Sequence, residues 1–353
     1  MSEIYRKLRK HLDSMPTGFP ETASGVEIRL LEKLFTEEEA RMACRMSMRP
    51  ETAEQVAARL GSDPRETADL LNGMSKKGLL MRHRAGGQTF FMSAGFLVGI
   101  FEYQVGSLDR ELVELFDQYL EEAMYRELIS PETPQLRVVP VQESLDADIE
   151  IAPYDELRKI LASQKLIGLA ECICRKMSGV KGKPCHAPLE SCLVFGPMAE
   201  FYIGNGIARE ISLAEAFDVL RKNEEAGLIP SPANAQRVGG MCSCCSCCCE
   251  LLKAIKLDSH PSRKVKSNYF ARVEEDLCTG CEACVDRCQM EAVTMANEIA
   301  VIYLDRCVGC GLCVTACPTG ALSMQKKPSG ELYVPPERPQ DTYIRIARER
   351  GKI

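Results

Sequence analysis

Eight cysteines near the end of the chain constrain its fold more than any other feature. Cys278, Cys281, Cys284 and Cys288 follow a C-x2-C-x2-C-x3-C run, and Cys307, Cys310, Cys313 and Cys317 repeat it, closing on Cys317-Pro318. A loop with two residues between thiolates wraps three corners of a 4Fe-4S cube, while the fourth cysteine of such a run ligates the other cube. Cys278, Cys281, Cys284 and Cys317 are therefore expected to hold one cluster, and Cys307, Cys310, Cys313 and Cys288 the second, so that folding and metal assembly are one event. Zinc knuckles also use C-x2-C pairs, but two full runs favour iron. With every iron capped by thiolate, neither cluster offers an open position for substrate, which points to electron relay and not to bond chemistry.

Between the runs, Ala292–Met295 and Ile299–Leu304 read as two short strands turning at Ala296-Asn297-Glu298. With Cys-Pro-Thr-Gly-Ala from Cys317 to Ala321, residues 270–327 resemble the bacterial 2x4Fe-4S ferredoxin fold. Gln289 departs from that family, which usually has proline after the fourth cysteine; the departure touches the local turn and not the ligands.

Ten more cysteines lie between Cys172 and Cys249. Adjacent side chains point apart in helix or strand, so Cys244 with Cys245, and Cys247, Cys248 and Cys249 together, do not all ligate one cube. The simplest division gives Cys172, Cys174, Cys185 and Cys192 to one further 4Fe-4S cluster and four of Cys242, Cys244, Cys245, Cys247, Cys248 and Cys249 to another. Interleaving of the two segments, zinc and free thiols are the alternatives. Cys172-Ile-Cys174-Arg, the two spaced cysteines, Gly-Leu-Ile-Pro and the closing cysteine run resemble, over residues 165–325, a region that precedes the ferredoxin module in iron–sulfur proteins of anaerobic bacteria and archaea. That resemblance implies electron transfer in anaerobic metabolism and fixes no reaction.

His186 is a candidate ligand beside Cys185, since imidazole replaces thiolate in some iron–sulfur centres, although a surface histidine is the simpler reading. Cys44, alone on a helical segment, reads as a small buried residue. Arg175, Lys176, Lys181 and Lys183 are candidates to offset thiolate charge or dock an acidic carrier, against the plainer reading of a solvated loop.

The whole reads as a multidomain α+β chain: residues 1–134 a winged-helix-like domain plus an amphipathic helix, 135–266 a small mixed α/β cysteine-rich domain, and 267–353 the ferredoxin-like domain with a tail. Helices are expected at Val26–Phe35, Thr36–Met48, Thr52–Leu60 and Pro64–Lys77, with apolar residues at helical spacing. Strands Leu79–Arg82 and Thr89–Met92 follow around Ala85-Gly86-Gly87. This segment resembles a winged helix-turn-helix domain. Charge cancels across Asp63–Lys77, so protein docking or dimerisation is favoured over DNA. A helix over Ser107–Ile129, capped by Ser107, is stopped by Pro131 and Pro134. The middle domain is expected to hold a strand at Leu136–Val141, a helix at Tyr154–Gln164, a strand at Leu166–Cys172 and a helix at Ser212–Ala226.

With 27% charged residues, nineteen cysteines and no apolar leader in MSEIYRKLRKHLD, the chain fits a reducing cytoplasm. Its longest apolar stretch, Ala94–Phe101, is too short to cross a bilayer. A net charge of −6 gives no global pull toward nucleic acid. The expected function is an iron–sulfur electron-transfer subunit passing low-potential electrons to or from a partner oxidoreductase; the alternative is a redox-sensing transcription regulator. No nucleotide or flavin fingerprint marks it as a stand-alone enzyme.

Overall fold

The computed structural model describes residues 3–145 and 150–353. It opens with a helix, Glu3–Asp13, which buries Tyr5, Leu8 and Leu12 against the helix Val26–Leu34. The next three helix starts follow from local chemistry. Thr36 and Glu39 cap Glu37–Ala43 reciprocally, Thr52 and Gln55 do the same for Ala53–Leu60, and Asp63 caps Pro64–Lys76 ahead of a proline in its first turn. A small sheet follows, with β1 (Glu51–Thr52), β2 (Leu80–Ala85) and β3 (Gln88–Ser93) in the order β1-β3-β2. Ala85 faces Gln88 across Gly86 and Gly87, whose φ values of 57° and 77° lie where glycine is strain-free.

Helical residues run from Arg110 to Ile129. Their cap is Asp109, whose Oδ1 accepts the Leu112 N–H at 2.7 Å, and not the expected Ser107, whose hydroxyl turns back to Gln104. A carboxylate one residue before the helix intercepts the free N–H first. Nearby, Glu102 accepts the Gly99 N–H at 2.6 Å, yet burial pushes its carboxyl up to about 7. A folded pKa above the unfolded value of 4.5 means that stabilisation present below that pH is lost as pH rises through about 7. Glu102→Gln is therefore expected to flatten the fall in urea midpoint between pH 5 and pH 8; an unchanged slope would place that titration elsewhere.

The middle region is a five-stranded antiparallel sheet in the order β6-β4-β5-β8-β7, with β4 (Ile167–Glu171), β5 (Glu190–Phe195), β6 (Ala208–Glu210), β7 (Ile229–Pro232) and β8 (Gly240–Cys244). Alternation divides its two faces. Leu169, Leu193 and Phe195 pack with helices Leu157–Ala162 and Leu213–Glu225, while Ala170 and Val194 join the core that includes Ile173, Met177, Phe201 and Tyr202. The expected strand Leu136–Val141 is extended but not a regular strand. Arg137 and Val139 donate to the carbonyls of Pro232 and Pro230, and those prolines have no N–H to return, so the pairing is regular only at the bridge between Leu136 and Ala233, where Asn234 donates back to the Gln135 carbonyl.

In the last region β9 (Tyr269–Val273) pairs antiparallel with β12 (Leu322–Lys326), and β10 (Val293–Ala296) with β11 (Ile299–Ile302) across Asn297 and Glu298. A final helix, Pro339–Glu349, returns the chain to its beginning: Glu349 accepts from Thr133, Arg350 pairs with Glu127, and Lys352 donates to the Asp13 carbonyl at 2.7 Å. The first region also docks on the middle one. Arg82 donates to Asn205 Oδ1 at 2.9 Å, Asn205 donates to the Ser75 carbonyl, and the Tyr103 ring lies 4.6 Å from that of Phe201.

Candidate metal centres

The two cysteine runs share a backbone device. Each begins Cys-x-Gly-Cys, and Gly280 and Gly309 both stand at φ 68°. A side chain at Gly280 would meet the carbonyl of Glu298, and one at Gly309 the carbonyl of Tyr269, so one loop is pressed onto the β10–β11 turn and the other onto β9. Short helices, Ala283–Arg287 and Leu312–Thr315, then turn the third cysteine of each run inward.

Cys278, Cys281, Cys284 and Cys317 line one pocket, walled by Val273, Met295, Ala300 and Leu322. The fourth thiol comes from the other run. Burial pushes the Cys317 thiol up, but the Thr319 hydroxyl and the N–H groups of Thr319, Ala321 and Leu322 outweigh it and hold the thiol below its ordinary value. Cys307, Cys310 and Cys313 neighbour Cys288, whose sulfur accepts the Ala292 N–H at 3.2 Å. Burial, with Cys288 and Cys307 alongside, pushes the Cys310 thiol up to about 12. Thiols so placed ionise only against a cation, which is the chemistry of a metal ligand. All are free of disulfides.

The ten middle cysteines fall into two groups that mix the early and late segments. The sulfurs of Cys185, Cys245, Cys247 and Cys248 lie within 4.8 Å of one another. Cys185 is thus brought to the late segment. Cys172 contacts Cys174, Cys174 contacts Cys249, and the chain continues through Cys244 and Cys242 to Cys192. Sheet order explains the mixing. Antiparallel β5 and β8 are neighbours, with Leu193 opposite Met241, so Cys192 falls beside Cys242 although far from it in sequence. Cys172 and Cys249 precede the helices Ile173–Val180 and Glu250–Lys256, and receive N–H groups from Arg175 and Leu252.

Arg175 is buried, not part of a solvated loop. It donates to the carbonyls of Pro188 and Ser243 and to Ser191, and stands beside Cys172, Cys244 and Cys245, touching both groups of thiols. Lys176 and Lys181 pair with Glu171 and Asp117, and Lys183 is exposed. His186 is exposed and outside the four-sulfur group. Cys44 is half-buried at a helix C-cap. Gln289, the departure noted above, has a role of its own: its Oε1 accepts the Ser246 N–H at 2.8 Å, tying the cysteine turn to the ferredoxin-like module. A proline there would lack the amide.

The family described as 4Fe-4S dicluster domain matches residues 271–324. No curated protein and no solved structure matches the chain. Together with the cysteine groups, that match makes this an iron–sulfur protein whose dicluster domain follows a second cysteine-rich region.

Proposed function

We propose that the protein relays single low-potential electrons to or from a partner oxidoreductase in anaerobic metabolism. One observation carries the reading. Cys242, Cys244 and Cys249 of the middle region belong to the same packed core as Cys288, Cys307 and Cys310, together with Ile229, Leu252, Val308 and Leu312. Thiols of both regions therefore share one apolar, water-poor body. The ligand sets proposed for the module are Cys278, Cys281, Cys284 and Cys317, and Cys307, Cys310, Cys313 and Cys288; a third cluster draws on Cys172, Cys174, Cys192, Cys242, Cys244 and Cys249. Bound 4Fe-4S clusters supply one-electron oxidation and reduction, and the protein sets their potential through charge, hydrogen bonds to sulfur and exposure.

Cys281 is exposed, so the module reaches the surface on its first-run side. Glu275, Asp276 and Glu282 surround that side with negative charge, suited to a basic partner. Among the described residues no helix is long and apolar enough to cross a membrane.

The winged-helix-like segment is read as an internal docking unit and not as a DNA reader. Arg82, on the hairpin that would act as a wing, is engaged by Asn205 and Gly204, and Lys77 by Glu39. Fluorescence anisotropy with labelled duplex DNA at low salt is expected to show no saturable binding; salt-sensitive saturation would favour the regulator.

The first experiment is iron and acid-labile sulfide per chain, on protein purified without oxygen, followed by reductive titration. About twelve irons with matching sulfide, and electron uptake in one-electron steps, are expected. Intact protein with near-zero iron would sink the proposal.

A further inference from the structure

The four-sulfur group differs in scale from a cluster site. In a four-iron cube each thiolate caps a different iron, so the sulfurs stand roughly 6 Å apart. Around a single tetrahedral ion with metal–sulfur bonds of about 2.3 Å, the sulfur–sulfur edge is about 3.8 Å. Here Cys185 lies 3.9 Å from Cys245 and 3.5 Å from Cys247, and Cys247 lies 3.6 Å from Cys248. Three of the six edges thus match a one-ion tetrahedron, and all six lie within 4.8 Å, short of the spacing of a cube.

We propose that Cys185, Cys245, Cys247 and Cys248 bind one divalent zinc-type ion and not an iron–sulfur cube. The surroundings are those of a closed structural site. Cys245 and Cys248 are 4% and 2% exposed, and Leu228 packs against both. Outer donors orient two of the sulfurs: the Ala187 N–H on Cys185 and the Arg175 guanidinium on Cys245. Four thiolates and a divalent ion leave two negative charges, and Arg175 offsets one of them. With no fifth donor in the group, the ion is saturated by protein and has no open position for substrate.

The ion's work is mechanical. It ties the loop carrying Cys185 to the turn Cys245–Cys248, and that turn sits between Cys244 and Cys249. It thereby fixes two thiols of the group assigned above to a third cluster. The inference rests on the iron–sulfur reading for that neighbour only, and the test separates the two.

The test compares zinc, iron and sulfide in the full chain with those in Cys185→Ser/Cys247→Ser, both purified anaerobically. These positions are the two least buried of the four, and iron held by the C-terminal module reports on folding. About one zinc per chain is expected in the parent and none in the variant, with the iron of the module unchanged. As a second readout, protein grown with cobalt in place of zinc is expected to show tetrahedral thiolate–cobalt visible bands, absent from the variant. A parent without zinc, whose variant loses about four irons and matching sulfide, would overturn the proposal. Near-zero iron with zinc retained would sink the electron-transfer reading and leave the zinc site standing.

Discussion

Replacing Cys317 with alanine is expected to remove about four irons and their sulfide, and to erase one of the module's reduction steps while leaving the other. The cluster lost is the one cradled by the first run, because Cys317 lines its pocket with Cys278, Cys281 and Cys284. Thr319 and three backbone N–H groups converge on that sulfur, so alanine also leaves several donors without an acceptor. Cys307→Ala should empty the other set, and the double variant both. Cys44→Ala, at a helix C-cap far from the thiol groups in sequence, serves as the reference with unchanged iron. Iron analysis and anaerobic voltammetry decide the matter. If Cys317→Ala kept its full iron, the exchange of fourth cysteines between runs would be wrong.

Loss of the Arg137 guanidinium is expected to destabilise the fold by about 3 to 5 kcal/mol, the range for breaking a buried ion pair on one side. Arg137 and Asp155 have side chains only 1% and 5% exposed and meet at 2.6 Å. Burial pushes the arginine down and the aspartate up, so desolvation outweighs the attraction between them. The pair does not stand alone. Asp155 Oδ2 accepts from Asn268 at 2.8 Å, Asn268 exchanges bonds with the Tyr333 backbone, and Asn234 donates to the Tyr333 hydroxyl. Five separate segments therefore meet on one polar network. Arg137→Met leaves a bare carboxylate inside it, whereas Arg137→Met/Asp155→Leu removes both charges and should recover most of the loss. Urea unfolding followed by near-UV circular dichroism gives both values. A double variant as weak as the single would shift the effect from charge to packing.

Local signals were legible wherever a few neighbouring residues decide the outcome. The apolar spacing over Thr52–Leu60 and Pro64–Lys77 and the paired glycines at 86 and 87 could be read directly, and the structure has helices and a hairpin there. Ser107 misled because Asp109 competes for the same free N–H with a charged acceptor. Leu136–Val141 misled because the partner, not the segment, determines a strand, and that partner offers prolines 230 and 232. Helix Glu3–Asp13 was passed over, although Tyr5, Leu8 and Leu12 carry its spacing.

The same division holds for the thiols. Within each run the spacing is local chemistry. The grouping of the middle cysteines depends on which strands lie side by side, and nothing near Cys192 or Cys242 in sequence announces that β5 and β8 adjoin. Gln289 read only as a missing proline, because its partner Ser246 belongs to a distant turn.

The return of the C-terminal segment to the start of the chain bears on biosynthesis. Arg350 reaches the Thr17 carbonyl and Lys352 that of Asp13, so the N-terminal region cannot complete its contacts until residues 350–352 have left the ribosome. Every cysteine assigned to metal precedes that closing segment in the chain and so leaves the ribosome before it. Cofactor delivery thus has its natural moment late in translation, with the latch at the two ends shutting afterwards. A released chain lacking residues 339–353 should be the more open substrate for an iron–sulfur donor.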